Sequence, residues 1–127
     1  MCVKKMASRV LVVDDSKMMR KMLQDIFLKN GYEIVSEAEN GAEAIQKYKE
    51  LTPDLVMMDV IMPELIGIDA VRAILAFDPK AKIVMCTALD HKELIDDAIA
   101  AGAKDYIVKP FKPEQVIQIA KKVLSRK

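Results

Sequence analysis

Polar side chains that could do chemistry follow or interrupt four short apolar runs of this 127-residue sequence. In chain order they are Asp14 and Asp15 after RVLVV, Asp59 inside LVMMDVIMP, Thr87 after KIVMC, and Lys109 at the end of DYIVK. A lone ionised carboxylate among apolar residues is costly to bury, even after the protein relaxes around it. Asp59 is therefore expected to meet partners from other parts of the chain.

The residue types at these positions suit the transfer of a phosphoryl group. Carboxylates that lie within a few Å repel one another, so either some are protonated or a cation joins them. A ligand set made only of oxygens suits a hard divalent ion, and Mg²⁺ is the natural choice, with Mn²⁺ as a substitute. Lys109 adds a fixed positive charge, and both cations would neutralise the phosphoryl oxygens while a carboxylate attacks in line. The product of that attack is an aspartyl phosphate.

Five apolar runs rich in β-branched residues predict the strands that position these side chains. The segments between the runs have helical spacing, and this alternation indicates a parallel sheet with helices on both faces. The first, third and fourth runs are almost wholly apolar, as central strands are. Because parallel strands end at one edge of a sheet, the polar residues are expected to converge there. The predicted strands cover residues 9–13, 32–38, 54–59, 82–86 and 105–109.

Capping signals mark five helices between and after these strands. Ser16 and Asn40 are the predicted N-caps of the first and second helices. Gly31 and Gly102 end the first and fourth, and Pro113 suits the first turn of the fifth. The residues predicted to face the core in the first, second and fifth helices are Met18, Met19, Met22, Leu23, Ile26, Phe27, Ala42, Ala44, Ile45, Tyr48, Val116, Ile117, Ala120, Val123 and Leu124.

The composition is typical of one soluble globular domain, with 52% apolar and 31% charged residues. No apolar stretch approaches the roughly 18–20 residues that span a bilayer, so we expect no membrane insertion and a cytoplasmic location. The formal net charge of +1 argues against the dense cationic face that non-specific nucleic-acid binding needs. Cys2 and Cys86 match no zinc or redox spacing, and Cys86 is most simply a small buried hydrophobe. Residues 1–7 are expected to form a flexible segment, and residues 8–127 one free-standing domain.

Taken together, the segments VLVVDDS, LVMMDVIMP, IVMCTA and GAKDYIVKPF resemble the receiver domain of two-component response regulators. The likeness extends over about residues 8–125 and is strongest to the single-domain chemotaxis members of the family, the CheY type. It implies a flavodoxin-like (βα)5 fold of the α/β class, with parallel strands in the order 2-1-3-4-5 and helices on both faces of the sheet.

The resemblance also implies a role for each acidic residue of the pattern. Asp59 is the expected phosphoacceptor, which receives its group from a phosphohistidine. Asp15 and Asp59 are expected to bind Mg²⁺ directly, and Asp14 to act through a water molecule. The backbone carbonyl of Ile61 is expected to complete the protein's share of the metal ligands.

The remaining site residues take their roles from the same likeness. Lys109 is expected to hold the phosphoryl oxygens, and its peptide bond to Pro110 is expected to be cis. Thr87 is expected to hydrogen-bond a phosphoryl oxygen once Asp59 is modified. Tyr106 is then expected to turn inward, into the space that Thr87 vacates.

These roles describe a signalling switch, not a conventional enzyme, that assists its own Mg²⁺-dependent phosphorylation and dephosphorylation. The expected partners are a sensor histidine kinase of the CheA kind, a phosphatase, and a motor-switch or adaptor protein bound by the face of the fourth helix, fifth strand and fifth helix. We expect a monomer that works in chemotaxis or motility signalling. A phosphorelay shuttle or a phosphate-sink receiver in another two-component pathway needs the same residues, so these alternatives stay open.

Other protein classes fit the sequence less well. A phosphatase or phosphotransferase of the haloacid dehalogenase kind also uses an aspartate and Mg²⁺, but it expects a DxD motif where this chain has adjacent Asp14 and Asp15. A flavin-binding module needs a phosphate-binding loop after the first strand, and VVDDSKMM would repel a phosphate there. A degenerate receiver that only binds partners would lack part of the acidic set or the lysine, whereas this chain contains them all.

Three positions depart from the pattern of the family. Ile66 stands where relatives often have an acidic or amide residue before a glycine. Ile61 and Leu89 lie two residues past Asp59 and Thr87, where relatives that dephosphorylate faster carry polar side chains. Water is therefore expected to be poorly oriented for attack, and the aspartyl phosphate is expected to decay slowly.

Exchanging both apolar residues for polar ones, Ile61→Asn together with Leu89→Glu, is predicted to shorten the lifetime of the aspartyl phosphate several-fold, because polar side chains orient the attacking water. The lifetime is measured in both proteins as the loss of the phosphorylated intact mass with time. Equal lifetimes in the wild type and the double variant would contradict the hypothesis that Ile61 and Leu89 slow hydrolysis of the aspartyl phosphate.

Overall fold

Five strands and five helices alternate along the computed structural model, which describes residues 8–59, 67–88 and 92–125. The strands are β1 (Arg9–Val13), β2 (Glu33–Ala38), β3 (Leu55–Asp59), β4 (Ile83–Ala88) and β5 (Asp105–Lys109). The helices are α1 (Lys17–Lys29), α2 (Gly41–Leu51), α3 (Gly67–Phe77), α4 (Lys92–Ala101) and α5 (Pro113–Ser125). Within the described ranges, no helix has the length and apolarity needed to cross a membrane. The expectations for residues 1–7, Ile61, Ile66 and Leu89 fall outside those ranges.

All five strands join one parallel sheet in the order β2-β1-β3-β4-β5, which confirms the predicted flavodoxin-like fold. The three runs predicted as central, β1, β3 and β4, are each paired on both sides. The predicted end of β4 at residue 86 was wrong, because its ladder with β5 continues through Thr87, opposite Val108, to Ala88. Thr87 therefore lies inside the strand and not after it.

The core consists of two apolar layers, one on each face of the sheet. On β1, Leu11 and Val13 belong to the layer under α2, α3 and α4, whereas Val10 and Val12 belong to the layer under α1 and α5. The same alternation continues along the other central strands, because successive side chains of a strand point to opposite faces. A sheet covered on both faces gives the residues at its carboxyl edge a rigid support.

The predicted buried faces of α1 and α2 were wrong at three positions. Met18 and Met22 are 76% and 44% exposed, and Ala42 is also exposed. The buried face of α1 instead follows Arg20, Leu23, Ile26 and Phe27, and that of α2 follows Gly41, Ala44 and Tyr48. A residue two positions from a buried one is rotated by about 200° around the helix, so apolar side chains there point to solvent.

The helix ends match the capping signals in the sequence. The Ser16 hydroxyl accepts a hydrogen bond from the backbone N–H of Met19, and the Asn40 side chain accepts one from that of Glu43. Gly31 and Gly102, which follow α1 and α4, have φ values of +85° and +119°. Only glycine adopts such angles without strain, so both helices end where the sequence places a glycine.

Replacing Gly102 by alanine is predicted to destabilise the protein more than the same change at Gly31. Both variants place a side chain at positive φ, which costs about 1 kcal/mol. At Gly102 the added Cβ would also lie 2.5 Å from Leu75 Cδ1, whereas at Gly31 it would meet nothing within 4 Å. Moving Leu75 off its rotamer adds about 0.5–1.5 kcal/mol. Urea unfolding measures both free energies, and equal losses would contradict the prediction.

Candidate functional site

The order of the strands brings the polar residues to the carboxyl edge of the sheet. Asp14 directly follows β1, and Asp59 is the last residue of the neighbouring β3. In the pairing registers, Asp59 lies opposite Cys86 of β4, and Lys109 of β5 lies opposite Ala88. The four strand ends that carry these residues are therefore consecutive in space.

Three carboxylates form a cluster at this edge. Each of Asp14, Asp15 and Asp59 offers one oxygen atom, and these atoms all lie within 4.8 Å of one another. Asp14 is buried, the Asp59 side chain is 14% exposed, and Asp15 is exposed. A cluster made only of carboxylate oxygens and open on one side fits a hard divalent cation such as Mg²⁺.

Lys109 supplies a positive charge to the same cluster. Its Nζ atom lies 3.1 Å from Asp14 Oδ2 and 3.6 Å from Asp59 Oδ2. Burial lowers the pKa of Lys109, but the carboxylates of Asp59 and Asp14 raise it, and the net direction is upward. The side chain is therefore an ammonium ion throughout the neutral pH range, and it supplies the fixed positive charge that the sequence analysis expected of it.

Asp14 is fixed on all sides. Its Oδ1 accepts a hydrogen bond of 2.9 Å from the backbone N–H of Ser16, and its Oδ2 accepts one from Lys109. Its own N–H donates to the carbonyl of Ala38, and its carbonyl accepts a 2.7 Å bond from Arg20 Nη1. Each carboxylate oxygen of Asp14 thus accepts one hydrogen bond, and these bonds fix the orientation of the side chain within the cluster.

Thr87 and Tyr106 lie on neighbouring strands but in different surroundings. Thr87 is 1% exposed inside β4, one residue beyond Cys86, the partner of Asp59 in the strand register. Tyr106 on β5 is 43% exposed and lines a groove of about 480 Å³ between β5 and α5, together with Gln115 and Ile119. The bond from Lys109 to Pro110, at the end of the same strand, is cis.

Cys86 is the thiol nearest to the cluster among the described residues, and it is buried as predicted. Burial raises its pKa to about 12; the charge of Lys109 lowers the value, whereas Asp59 and Asp14 raise it. At neutral pH the sulfur is therefore protonated. It packs with the apolar layer under α1 and α5 and is no nucleophile.

Sequence reasoning missed Arg20 and Glu37, which are linked by a hydrogen bond to each other and, through Arg20, to the backbone of Asp14. Arg20 is 9% exposed on the inner face of α1, and its Nε donates to Glu37 Oε1 on β2. The spacing contained a signal, because Arg20 lies three residues before Leu23 on the stripe that Ile26 and Phe27 continue. A charged residue on an apolar helix face needs hydrogen-bond acceptors, which Glu37 and the Asp14 carbonyl provide here.

Known proteins with the same features are response regulators. The family model for the response regulator receiver domain matches residues 10–121. The chemotaxis protein CheY of Thermotoga maritima is 54% identical over 118 residues, which cover 93% of this chain and 98% of that protein. CheY of Bacillus subtilis is 52% identical over 94% of this chain and 100% of that protein.

Solved structures with the same fold superpose closely on this chain. The CheX–CheY–BeF₃–Mg²⁺ complex from Borrelia burgdorferi contains a chain that superposes with a TM-score of 0.89 at 37% identity, over 94% of this chain and 90% of that one. The similarity thus extends over almost the full length of both chains and includes the strands that carry the acidic cluster. This chain belongs to the family of response regulator receiver domains.

Proposed function

We propose that this response regulator accepts a phosphoryl group on Asp59 from the phosphohistidine of a sensor kinase, and then changes its binding to a target protein in chemotaxis signalling. One observation carries the assignment of the acceptor. Asp59 is partly exposed at the sheet edge, 3.6 Å from the Lys109 ammonium group and within reach of two further carboxylates. A phosphate donor can therefore reach Asp59, and the Lys109 ammonium group lies where negative charge would accumulate during the transfer.

Asp15 and Asp59 are the residues that would hold Mg²⁺ directly, with the Ile61 carbonyl, which lies outside the described residues. Asp14 would act through water, which agrees with its two oxygens already accepting hydrogen bonds from Ser16 and Lys109. When bound, Mg²⁺ supplies positive charge to the phosphoryl oxygens. The carboxylates of Asp15 and Asp59 would hold the ion in the acidic cluster.

In the transfer, an Asp59 oxygen attacks phosphorus in line, the bond from phosphorus to the histidine nitrogen breaks, and the electron pair leaves with that nitrogen. Lys109 holds an equatorial oxygen of the transferred group, because its ammonium already lies beside the acceptor. Thr87, buried near the end of β4, donates a hydrogen bond from its hydroxyl group to another of these oxygens. The protein acts as a signalling switch and not as a conventional enzyme.

The signal would pass from the site to the face of α4, β5 and α5. Phosphorylation adds about −1.5 to −2 charge, and Thr87 would move toward it. Tyr106, now 43% exposed beside the groove, would turn inward into the vacated space. Moving such an equilibrium from 1:99 to 99:1 takes about 5.5 kcal/mol, which new hydrogen bonds from Thr87 and Lys109 would largely supply.

The partners follow from this scheme. A kinase of the CheA kind would phosphorylate the monomer in the cytoplasm, and a motor-switch or adaptor protein would bind the changed face. A phosphatase would end the signal. A phosphorelay shuttle differs in passing its phosphoryl group back to a histidine, and a phosphate sink differs in having no phosphorylation-dependent target. Transfer back to a histidine phosphotransfer protein would favour the shuttle.

Incubation with Mg²⁺ and acetyl phosphate is predicted to add one phosphoryl group to the wild type but none to the Asp59→Asn variant. The reason is that an amide cannot act as the attacking carboxylate. Intact-mass spectrometry measures the product. Asp69→Asn on α3 is the matched control, since Asp69 is an exposed carboxylate that contacts Arg72 and lies outside the cluster. A phosphorylated Asp59→Asn variant would overturn the assignment.

The substitution Asp15→Asn is predicted to stabilise the metal-free protein and to weaken its response to Mg²⁺. Removing one of three neighbouring charges relieves repulsion worth a few tenths to about 1 kcal/mol at this exposed position. Mg²⁺ at 100 times its Kd should stabilise the wild type by about 2.7 kcal/mol, and EDTA should reverse this. Urea unfolding with and without Mg²⁺ measures both effects, with Asp69→Asn as the control. An undiminished Mg²⁺ response in Asp15→Asn would contradict the prediction.

A further inference from the structure

Arg20 connects the backbone of the acidic loop to a neighbouring strand. Its guanidinium group donates from Nη1 to the carbonyl oxygen of Asp14 at 2.7 Å and from Nε to a carboxylate oxygen of Glu37. Arg20 and the contact with the Asp14 carbonyl are buried, whereas the Glu37 side chain is 48% exposed. One side chain on α1 thus joins the loop after β1 to the outer strand β2.

We propose that Arg20, held in place by Glu37, is a positioning residue that orients the Asp14–Asp15 peptide and thereby sets the affinity of the acidic cluster for Mg²⁺. This inference rests on the proposed function, because it concerns the same metal site. Neither Arg20 nor Glu37 belongs to the cluster of carboxylates that could hold the ion.

The bonded carbonyl matters because it belongs to the peptide that precedes Asp15. Asp15 is exposed, so the position of its carboxylate depends on the direction in which the backbone presents it. The N–H of Asp14 is already fixed by the carbonyl of Ala38. The bond from Arg20 fixes the other side of Asp14, so the plane of the next peptide has little freedom to rotate.

Glu37 keeps the guanidinium group directed at the carbonyl. Without this second acceptor, the guanidinium group would be held by the Asp14 carbonyl alone and would rotate more freely. The hydrogen bond from Arg20 is the main cause that holds the pKa of Glu37 below its ordinary value, so the carboxylate is ionised at neutral pH. A planar guanidinium can serve two acceptors from separate nitrogens at once, which a lysine ammonium on a flexible stem does less well.

Positioning and simple electrostatics predict opposite results when the charge is removed. If Arg20 acted only through its positive charge, the neutral Arg20→Met variant would bind Mg²⁺ more tightly, because a cation repels a cation. If Arg20 positions the loop, the variant binds Mg²⁺ more weakly. Loss of groups that orient metal ligands typically costs 10- to 100-fold in affinity.

The experiment is calorimetric titration of the full unphosphorylated chain with Mg²⁺. Arg20→Met and the charge-conserving Arg20→Lys are both expected to raise the Kd about tenfold, with urea unfolding used to verify that each is folded. Arg9→Met is the matched control. Arg9 also donates from Nη1 to a carbonyl, that of Thr52 at 3.2 Å, but at the opposite end of β1, so its Kd should equal the wild-type value.

A double-variant cycle tests the part played by Glu37. Glu37→Ala should weaken Mg²⁺ binding, but in the Arg20→Met background it should add nothing, because its effect passes through Arg20. Unchanged or tighter binding in folded Arg20→Met, while the wild type binds, would overturn this inference and leave the proposed function intact. Additive losses would overturn the role of Glu37. A wild type that does not bind Mg²⁺ would overturn both.

Discussion

Repulsion among the carboxylates of Asp14, Asp15 and Asp59 is the constraint around which the rest of the site is arranged. Oxygen atoms of all three lie within 4.8 Å of one another, an arrangement that no folded chain holds without compensation. Lys109 supplies part of that compensation, because its ammonium lies between Asp14 and Asp59. What remains is a cluster with surplus negative charge at the carboxyl edge of the sheet. A site with this charge would attract a small cation and, with it, a phosphoryl group, as the proposed function requires.

The topology of the sheet makes this concentration of charge possible. The residues are far apart in the sequence, and the order β2-β1-β3-β4-β5 makes the four strands that carry them consecutive. The strands themselves contribute apolar side chains to both faces and so need no help from the site to be stable. The two core layers therefore stabilise the fold, whereas the unfavourable repulsion between carboxylates is confined to one edge of the sheet.

Much of this arrangement could be predicted from sequence, because strands and their polar ends are local features. The apolar runs predicted all five strands, and the polar residues at the ends of these runs predicted which side chains form the cluster. The end of β4 was missed, since pairing of Thr87 with β5 depends on a partner strand and not on the run itself. Met18, Met22 and Ala42 were placed inward because apolar character was equated with burial, although a helix buries only one stripe. Arg20 was missed although it lies on the apolar stripe of α1, because the sequence does not show that its side chain bonds the Asp14 carbonyl.

The burial of the Cys86 thiol limits oxidation at a position next to Asp59. It lies opposite Asp59 in the strand register, so any oxidation there would add bulk and charge against the phosphoacceptor. Peroxides and other oxidants attack thiolates, and a thiol with a pKa of about 12 supplies almost none in a neutral cell. The packing around the sulfur therefore protects Cys86 itself from oxidation, and the apolar surface beside Asp59 keeps its shape.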